Sequence, residues 1–395
     1  MTTFQQGIVK ITRAAITGER TELPDGFSLE RIDAFAKKHQ ISSILLYGIV
    51  TLGLSSSHPA VNNLYVRSSA EILYTEKQVS CIEQIRSVFT ENNIAFVLLK
   101  GSIIKKMYPR PEMRTMGDID VLIKDSDYPK IKVLLKSLGF IEQYESDHEY
   151  AWKSPGGLLI ELHKSLIPSY YDDYYGYFGD GWMKAHKRPD SSEYVFSPED
   201  HFIYIFTHFA KHYKAGGIGI KHFCDLWLFK KYFSDLDHKF IETELEKLDL
   251  LIFYHNVVDT ERVWFEGAVS NQITDKITDT IIKSGAYGTH EDRVNADNLR
   301  LTREKGQNKI SKFRLFLVRV FPSAKVLSVK YKFLRKCKFL LPIAWLIRCF
   351  DALFNKRGSI KRQTSDIKNS SEEKITKIEA ELNLVGLKYN TKEKK

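Results

Sequence analysis

Two aspartates in an otherwise apolar run have the type and spacing of a metal-binding pair. Residues 114–123 read RTMGDIDVLI, so Asp118 and Asp120 lie two positions apart in a predicted strand. Buried carboxylates are unfavourable unless they are paired, hydrogen-bonded or bound to a metal. Because the side chains of a strand alternate between its faces, at about 3.3 Å per residue, both carboxylates share a face and could converge on a divalent cation. The alternative is that Asp118 caps a turn and only Asp120 lies in the strand.

A third carboxylate follows in the stretch LLIELHK. Glu161 and His163 share one face of the strand predicted there, and its leucine and isoleucine side chains share the other. A carboxylate on a neighbouring strand would complete a site for divalent cations. Pairing of Glu161 with a lysine and a structural role for His163 are the alternatives.

Gly101 and Ser102 lie between the apolar run IAFVLLK, a predicted central strand, and the short helix SIIKKMY. A helix N-terminus offers free N–H groups and a positive dipole end, which suit phosphate, and glycine lets a phosphate approach the backbone closely. An ordinary strand-to-helix turn is the alternative. The Gly-Ser turn, the paired aspartates and the later glutamate together form a layout for phosphoryl-type transfer with two bound cations.

The elements that must position these residues alternate along the chain from residue 66. The spacing predicts a long helix over 66–91, and strands at 94–100, 118–123, 144–152 and 158–162. A helix begins at Asp125 or Ser126 and ends at Gly139. The pattern predicts a sheet of about four strands. The apolar stripe of the long helix is predicted from six residues, Ile72, Leu73, Val79, Ile82, Ile85 and Phe89.

The flanking segments are predicted to be mostly helical. Residues 29–53 have helical spacing, and a helix that begins at Ser197 opens a helical stretch that continues to about residue 350. Residues 356–371 are polar and are predicted to form a linker. A short amphipathic helix follows at 372–386, and its docking on its own domain or on a partner is left open.

The positive charge is concentrated near the C-terminus. The chain has 395 residues and a formal net charge of +10, yet residues 309–362 hold 15 Lys and Arg and a single acid, Asp351, so this basic segment carries +14 and the rest of the chain −4. Such a segment suits a polyanion: nucleic acid, an anionic membrane surface or an acidic protein. A solvated basic surface is the alternative.

Cysteine usage and hydropathy exclude several classes of protein. The 4 cysteines form no CxxC pair, which favours a reducing compartment over a disulfide scaffold. The N-terminus lacks the apolar core of a signal peptide. The apolar stretch FLLPIAWLIRCFDALF is too short for an untilted span of about 20 residues. We therefore predict a cytoplasmic protein, with peripheral attachment to the inner membrane face left open.

The run LLKGSIIKKMYPRPEMRTMGDIDVLI resembles the nucleotidyltransferase fold of the DNA polymerase β superfamily. It is most similar to the uncharacterised bacterial group with an LKG…R…DIDLL…ELH pattern, and further likeness in IDAFAKKHQISSILLY and THFAKHY extends the resemblance over roughly residues 29–350. The resemblance implies an α+β fold: a polymerase β-like mixed-sheet core, N-terminal helices and a mostly helical C-terminal region. We divide the chain accordingly into 1–65, a lead-in; 66–190, the nucleotidyltransferase core; 191–355, a helical domain with a basic C-terminal part; and 356–395, a linker and short helix.

The resemblance also implies the catalytic and metal-binding residues. Asp118 and Asp120 match the paired metal-binding aspartates, and Glu161 matches the third carboxylate; together they would hold Mg²⁺ or Mn²⁺. His163 matches the histidine of the ELH motif, whose role the resemblance does not give; a place behind the metal ligands is left open for it.

Four further positions match the nucleotide-binding residues of the family. Gly101 and Ser102 match the pair that holds the triphosphate, and Lys100 and Arg114 match basic positions that could neutralise phosphate charge. Asp225, in the later helical segment, is expected to be structural.

The implied activity is transfer of a nucleoside monophosphate from a nucleoside triphosphate such as ATP to a hydroxyl acceptor, with release of pyrophosphate. The acceptor stays open between glycan, small molecule, protein side chain and RNA. One alternative is a nucleotide-binding regulator that has lost catalysis, and another is a membrane-peripheral assembly factor that uses the basic segment. A nucleic-acid acceptor is a third, because aromatic residues interleave with basic ones in that segment.

Overall fold

The computed structural model describes residues 1–54, 58–168, 172–303, 317, 320–328, 330–331, 333–355 and 372–389. They form two compact units. The first comprises Met1–Tyr213 and Ile218–Tyr287, and the second comprises Lys214–Gly217 and the described residues from Gly288 onward. The predicted division into four segments stays a prediction.

Helices build most of the first unit. In chain order they are α1 Thr3–Thr17, α2 Ile32–His39, α3 Ser42–Thr51, α4 Pro59–Glu91, α5 Gly101–Ile104, α6 Tyr128–Ser137, α7 Asp172–Phe178, α8 Pro198–Lys214, α9 Ile220–Tyr232, α10 His238–Lys247, α11 Leu251–Glu261 and α12 Gln272–Ser284. Shorter helical turns lie at Leu29–Arg31, Lys105–Met107, Pro111–Met113, Asp125–Asp127, Trp182–Lys184 and Arg262–Glu266.

One mixed sheet of seven strands forms the centre of this unit. Its strands are β1 Phe96–Leu98, β2 Asp118–Ile123, β3 Ile141–Glu145, β4 Glu149–Lys153, β5 Leu159–His163, β6 Ala185–Lys187 and β7 Glu193–Phe196. Their order is β3-β4-β5-β2-β1-β7-β6. The pairs β2–β5 and β1–β7 are parallel, and the other neighbours are antiparallel.

The core lies on the face of the sheet opposite the aspartates. Ile119, Val121 and Ile123 of β2 are buried there with Ile160 and Leu162 of β5, as the alternation of the two strands predicts. Helices α4 and α6 pack their apolar residues on this face. The other face of β2 and β5 is therefore free to present polar side chains.

The predicted apolar stripe of α4 is right for its C-terminal half and wrong for its N-terminal half. Ile82, Ile85 and Phe89 are buried, but Ile72, Leu73 and Val79 are exposed. The buried positions in the middle of the helix are polar because they bind a buried lysine: the Lys105 ammonium donates to Thr75 Oγ1 at 3.2 Å and to Gln78 Oε1 at 2.8 Å. The spacing of apolar residues could not predict this buried face of the helix, because its central residues are polar.

Several predicted boundaries were also wrong. Residues 29–53 do not form one helix, because Gln40 takes a left-handed backbone conformation (φ 56°) and separates α2 from α3. Residues 144–152 do not form one strand, because the chain turns between β3 and β4, where the Ser146 N–H donates to the carbonyl of Glu149 at 2.9 Å. Strands β6 and β7 were not predicted; they are short and lie just before α8, the helix that the pattern made conspicuous.

The second unit is helical. Its helices are α13 His290–Arg303, α14 Ala324–Leu327, α15 Phe333–Lys336, α16 Leu341–Asn355 and α17 Glu372–Leu384, with a short turn at Lys338–Leu340. None of the described helices is long and apolar enough to cross a membrane. The predicted linker at 356–371 lies outside the described residues.

Helix α17 is the predicted amphipathic helix, and it packs against α13 of its own unit. Ile375 and Leu382 are buried, as is Val385 just beyond the helix. The guanidinium of Arg303 donates to both carboxylate oxygens of Glu379, at 2.6 and 2.5 Å. The choice left open by the sequence is thus resolved in favour of docking within the chain.

Candidate active site

The pairing of β2 with β5 brings the predicted carboxylates together. The strands are parallel and in register, with Asp118 opposite Leu159 and Asp120 opposite Glu161. Side chains opposite each other in adjacent strands point to the same face of a sheet. Asp118 is the first residue of β2 rather than the cap of a preceding turn, so both aspartates belong to the strand.

Asp120 is buried and accepts two short hydrogen bonds at one oxygen. The Lys100 ammonium and the Nε2 atom of His163 each lie 2.7 Å from Asp120 Oδ1. Burial opposes ionisation of Asp120, but the Lys100 charge and the His163 hydrogen bond outweigh burial and hold the pKa of Asp120 well below its usual range. Asp120 is therefore ionised at neutral pH.

Lys100 reaches Asp120 from an unusual backbone conformation. Its φ is 45°, in a region that side-chain-bearing residues seldom occupy, and it immediately precedes α5. The charge of Asp120 outweighs burial and raises the pKa of the Lys100 ammonium. Local strain at a residue that meets a catalytic candidate is consistent with a functional constraint.

The neighbouring carboxylates carry an excess of negative charge. Burial, followed by the charges of Asp118 and Glu149, raises the pKa of Glu161 to about 7. Burial and the charge of Asp120 likewise raise the pKa of Asp118. Tyr144 donates a hydrogen bond to Glu161 Oε1 at 2.9 Å. Because these neighbouring carboxylates repel one another when ionised, a divalent cation bound between them would stabilise their charged forms.

These donors fit the divalent cation that the sequence resemblance implies. Ligand atoms of Asp120, Glu161 and His163 lie within 4.8 Å of one another. Asp118 lines the same cavity beside them. Carboxylate oxygens are the ligands that Mg²⁺ and Mn²⁺ prefer.

Gly101 lines the cavity at the start of α5. A Cβ atom at this position would collide with the side chain of Met116, so packing by itself favours glycine as long as Met116 keeps its place. The hydroxyl of Ser102 is buried and has no hydrogen-bond partner among the described residues. The triphosphate-binding role of both residues stays a prediction.

Arg114 also lines the cavity, but its guanidinium is engaged within the protein. Its Nε atom lies 2.7 and 2.9 Å from the two carboxylate oxygens of Asp225, and Nη1 donates to the carbonyl of Thr115 at 2.7 Å. Tyr108 donates to Asp225 Oδ1 at 2.7 Å. Asp225 thus has the structural surroundings expected of it, and phosphate binding by Arg114 stays a prediction.

Seven of the predicted site residues line a cavity of about 250 Å³: Lys100, Gly101, Arg114, Asp118, Asp120, Glu161 and His163. Ser102 does not line it, and sequence reasoning missed another part of its wall. That wall includes His208, Lys211 and His212 of α8, His222 of α9, and Tyr287. The Nε2 atoms of His208 and His212 are 3.1 Å apart, and burial lowers the pKa of Lys211 to about 8. Polar residues at i, i+3 and i+4 in the apolar helix HFIYIFTHFAKHY were the available signal.

Two more cavity residues were missed, His148 and Glu149. Sequence reasoning assigned them to the middle of a single strand, where alternation would have put them on opposite faces. The turn before β4 removes that constraint, and both side chains reach the cavity.

Comparison with known proteins bears on the family of the chain rather than on its individual site residues. The family model described as "Uncharacterised nucleotidyltransferase" matches residues 25–266, more than half of the chain. Among solved structures, the solution structure of the antibiotic-resistance factor ANT(2'')-Ia is 15% identical, covers 48% of this chain and 97% of its own, and has a TM-score of 0.32, a likeness too weak to carry an argument. No curated protein matches the sequence.

Proposed function

This chain belongs to the family of uncharacterised nucleotidyltransferases, and from that premise we propose that it transfers a nucleoside monophosphate from a nucleoside triphosphate to a hydroxyl acceptor, releasing pyrophosphate. Family membership confirms the predicted family, the α+β fold class and the enzyme class. The observation that carries the finer proposal is the parallel pairing of β2 with β5, which sets Asp120 beside Glu161 on the cavity face.

Asp118, Asp120 and Glu161 would hold the divalent cation, Mg²⁺ or Mn²⁺. When bound, such an ion neutralises phosphate charge and lowers the pKa of an attacking hydroxyl. Lys100 and His163 prepare Asp120 for this role, because their hydrogen bonds keep its carboxylate ionised and fix its orientation.

The cavity also has the positive charge that a triphosphate needs. Lys100 lies beside the carboxylates, and Lys211 lines the wall formed by α8. The backbone N–H of Gly101, where α5 begins, would complete this proposed phosphate-binding side, whereas the N–H of Ser102 already donates to the carbonyl of Leu99 at 3.2 Å. The hydroxyl acceptor would enter between the carboxylates and the histidines of α8 and α9.

The decisive test replaces Asp120 by asparagine, which keeps its shape and removes its charge. With Mg²⁺, a labelled nucleotide and cell extract, we expect nucleotidyl transfer to fall at least about 100-fold, the size of effect seen when a group that stabilises developing charge is removed. Mass spectrometry of the products would identify the acceptor.

Asp127→Asn is the matched control, because Asp125 and Asp127 repeat the D-x-D spacing outside the cavity. Normal transfer by the Asp120→Asn protein would refute the catalytic proposal. Nucleotide binding without pyrophosphate release by the unaltered chain would favour the inactive regulator instead.

A second candidate function, attachment to an anionic membrane, is favoured by the surface of α16. Large apolar side chains are exposed along one side of this helix and just before it: Phe339, Ile343, Leu346, Ile347 and Phe350. The exposed Lys330, Lys336 and Lys338 flank them within the basic segment. Exposed apolar side chains with basic residues close to them in the sequence suit an anionic bilayer.

Sedimentation with vesicles tests this second candidate. The chain should pellet with phosphatidylglycerol vesicles and stay in solution with phosphatidylcholine vesicles. Lys336→Glu with Lys338→Glu should abolish pelleting; equal pelleting by this variant would count against membrane attachment.

A further inference from the structure

Beside the carboxylates lies a second group of possible metal ligands that contains two imidazoles. Ligand atoms of His148, Glu149 and His163 lie within 4.8 Å of one another. Glu149 begins β4 and pairs in register with His163 of β5, while His148 lies in the turn before β4. All three side chains line the cavity.

One oxygen of Glu149 lies close to a nitrogen of each ring. Glu149 Oε2 is 3.0 Å from His148 Nε2 and 3.9 Å from His163 Nδ1. Ligands at about 2.1 Å from a shared metal ion are separated by roughly 3 to 3.5 Å. The three atoms are thus close to the spacing of ligands around one ion, and a small movement of one ring would complete it.

The other nitrogen of each ring is held by an aspartate. His148 Nδ1 is 3.1 Å from Asp147 Oδ1, and His163 Nε2 is 2.7 Å from Asp120 Oδ1. Histidines that bind metals usually donate their second ring N–H to a carboxylate or carbonyl, which fixes the tautomer and leaves the first nitrogen with a free lone pair. In both rings the second nitrogen meets a carboxylate. The first nitrogen of His148 lies 3.0 Å from Glu149 Oε2, where a shared ion would replace a hydrogen bond.

We propose that His148, Glu149 and His163 bind a divalent transition-metal ion of the Zn²⁺ class. Two imidazoles and one carboxylate suit Zn²⁺, Co²⁺ or Fe²⁺, whereas Mg²⁺ prefers oxygen ligands throughout. With three protein ligands and a wall open to the cavity, the ion keeps a position for water or an oxygen of a bound molecule. The site adjoins the proposed catalytic carboxylates and shares a residue with them: Nδ1 of His163 faces Glu149, while Nε2 of the same ring meets Asp120.

Another pair of histidines competes for the same kind of ion. His208 and His212 lie one turn apart on α8, with their Nε2 atoms 3.1 Å apart. Their cluster includes no carboxylate among the described residues that could serve as a third ligand within 4.8 Å. The first group is therefore the stronger site, and the pair on α8 provides a control.

Cobalt absorption tests the proposal with the whole chain and no nucleotide, so its outcome does not depend on nucleotidyl transfer. The protein is stripped with chelator, supplied with excess Mg²⁺ to fill the carboxylates, and titrated with Co²⁺ while visible d–d bands are recorded. We expect saturable bands from one bound Co²⁺. His148→Gln and Glu149→Gln should each weaken Co²⁺ binding about tenfold or more, and Asp147→Asn about tenfold.

The controls should leave Co²⁺ affinity unchanged: His212→Gln in the competing pair, Asp118→Asn among the carboxylates, and His186→Gln at an exposed histidine. Circular dichroism and thermal unfolding verify that each variant is folded. The proposal is overturned if Co²⁺ affinity is the same in wild type and His148→Gln, if it is lost in His212→Gln, or if excess Mg²⁺ displaces the Co²⁺.

Discussion

At the scale of single residues, two buried carboxylates of the site each have a partner of opposite charge. Asp120 is matched by Lys100, and Arg114 by Asp225. The second pair is more deeply buried: the side chains of Arg114 and Asp225 are 5% and 6% exposed. A buried charge that loses its partner is strongly destabilising, so this pair has a structural role whatever else Arg114 binds.

Asp225→Ala should therefore lower the free energy of unfolding by about 3 to 5 kcal/mol, because it leaves the Arg114 guanidinium buried and unpaired. Urea denaturation of the full chain measures the loss. Arg114→Met combined with Asp225→Leu should recover most of it, since neither charge of the pair remains. A loss below about 1 kcal/mol in Asp225→Ala would contradict the structural role of the pair.

At the scale of elements, two separate reasons, packing and phosphate binding, could explain the glycine in the turn between β1 and α5. A Cβ atom at position 101 would collide with Met116, so packing leaves no room for a side chain there. A phosphate that approaches the backbone would need the same space. The two reasons can be separated because Met116 is a flexible side chain that can be shortened.

Gly101→Ala should reduce both thermal stability and nucleotide affinity, because the new methyl group meets Met116. Met116 is itself buried in the core, so the comparison is made in a Met116→Ala background. There Gly101→Ala should cause no further loss of melting temperature, because the shortened side chain leaves room for the methyl group. Nucleotide affinity, measured by calorimetry, should stay low in the double variant if phosphate approaches Gly101. Its full recovery would mean that the glycine serves packing alone.

Helix α17 gives an element-scale prediction in the second unit. Ile375 is buried on the face that packs against α13, so Ile375→Ala should cost about 2 to 5 kcal/mol of unfolding free energy. Leu384→Ala removes a similar side chain that is exposed on the same helix and should change it by less than about 0.5 kcal/mol. Chemical denaturation compares the two; equal effects would argue against docking of α17 within the chain.

For the whole molecule, buried histidines tie stability to pH. The His39 Nε2–H donates a hydrogen bond to the carbonyl of Ile282 at 2.9 Å, which joins α2 to the end of α12. Burial lowers the pKa of His39 from 6.5 to about 4, and burial lowers that of His201 to about 4 as well. Between pH 6.5 and 4 the unfolded chain therefore binds protons that the folded chain does not.

Stability should consequently fall as the pH is lowered from 7 to 5, because protons bound only by the unfolded chain favour unfolding. His39 alone should account for about 2 kcal/mol of this loss at pH 5. His39→Gln, whose amide can still reach the carbonyl, should reduce the slope of unfolding free energy against pH. An unchanged slope would show that the pKa of His39 is the same in the folded and the unfolded chain.

Short-range patterns predicted the parts of the site that depend on neighbours along the chain. The alternation in DIDVLI placed Asp118 and Asp120 on one face of β2, and the same alternation placed Glu161 and His163 together on β5. The hairpin turn between β4 and β5 was predicted from its PGG sequence. These features follow from φ and ψ preferences and side-chain alternation, which act over a few residues.

Long-range contacts had to come from the folded chain. No local rule could pair β2 with β5, give Asp120 the two donors Lys100 and His163, or bring His148 beside them. His163 is 43 positions from Asp120, and Asp225 is 111 from Arg114. A contact between such residues depends on how whole elements pack, so residue types and spacing indicated the chemistry, while packing determined which groups meet.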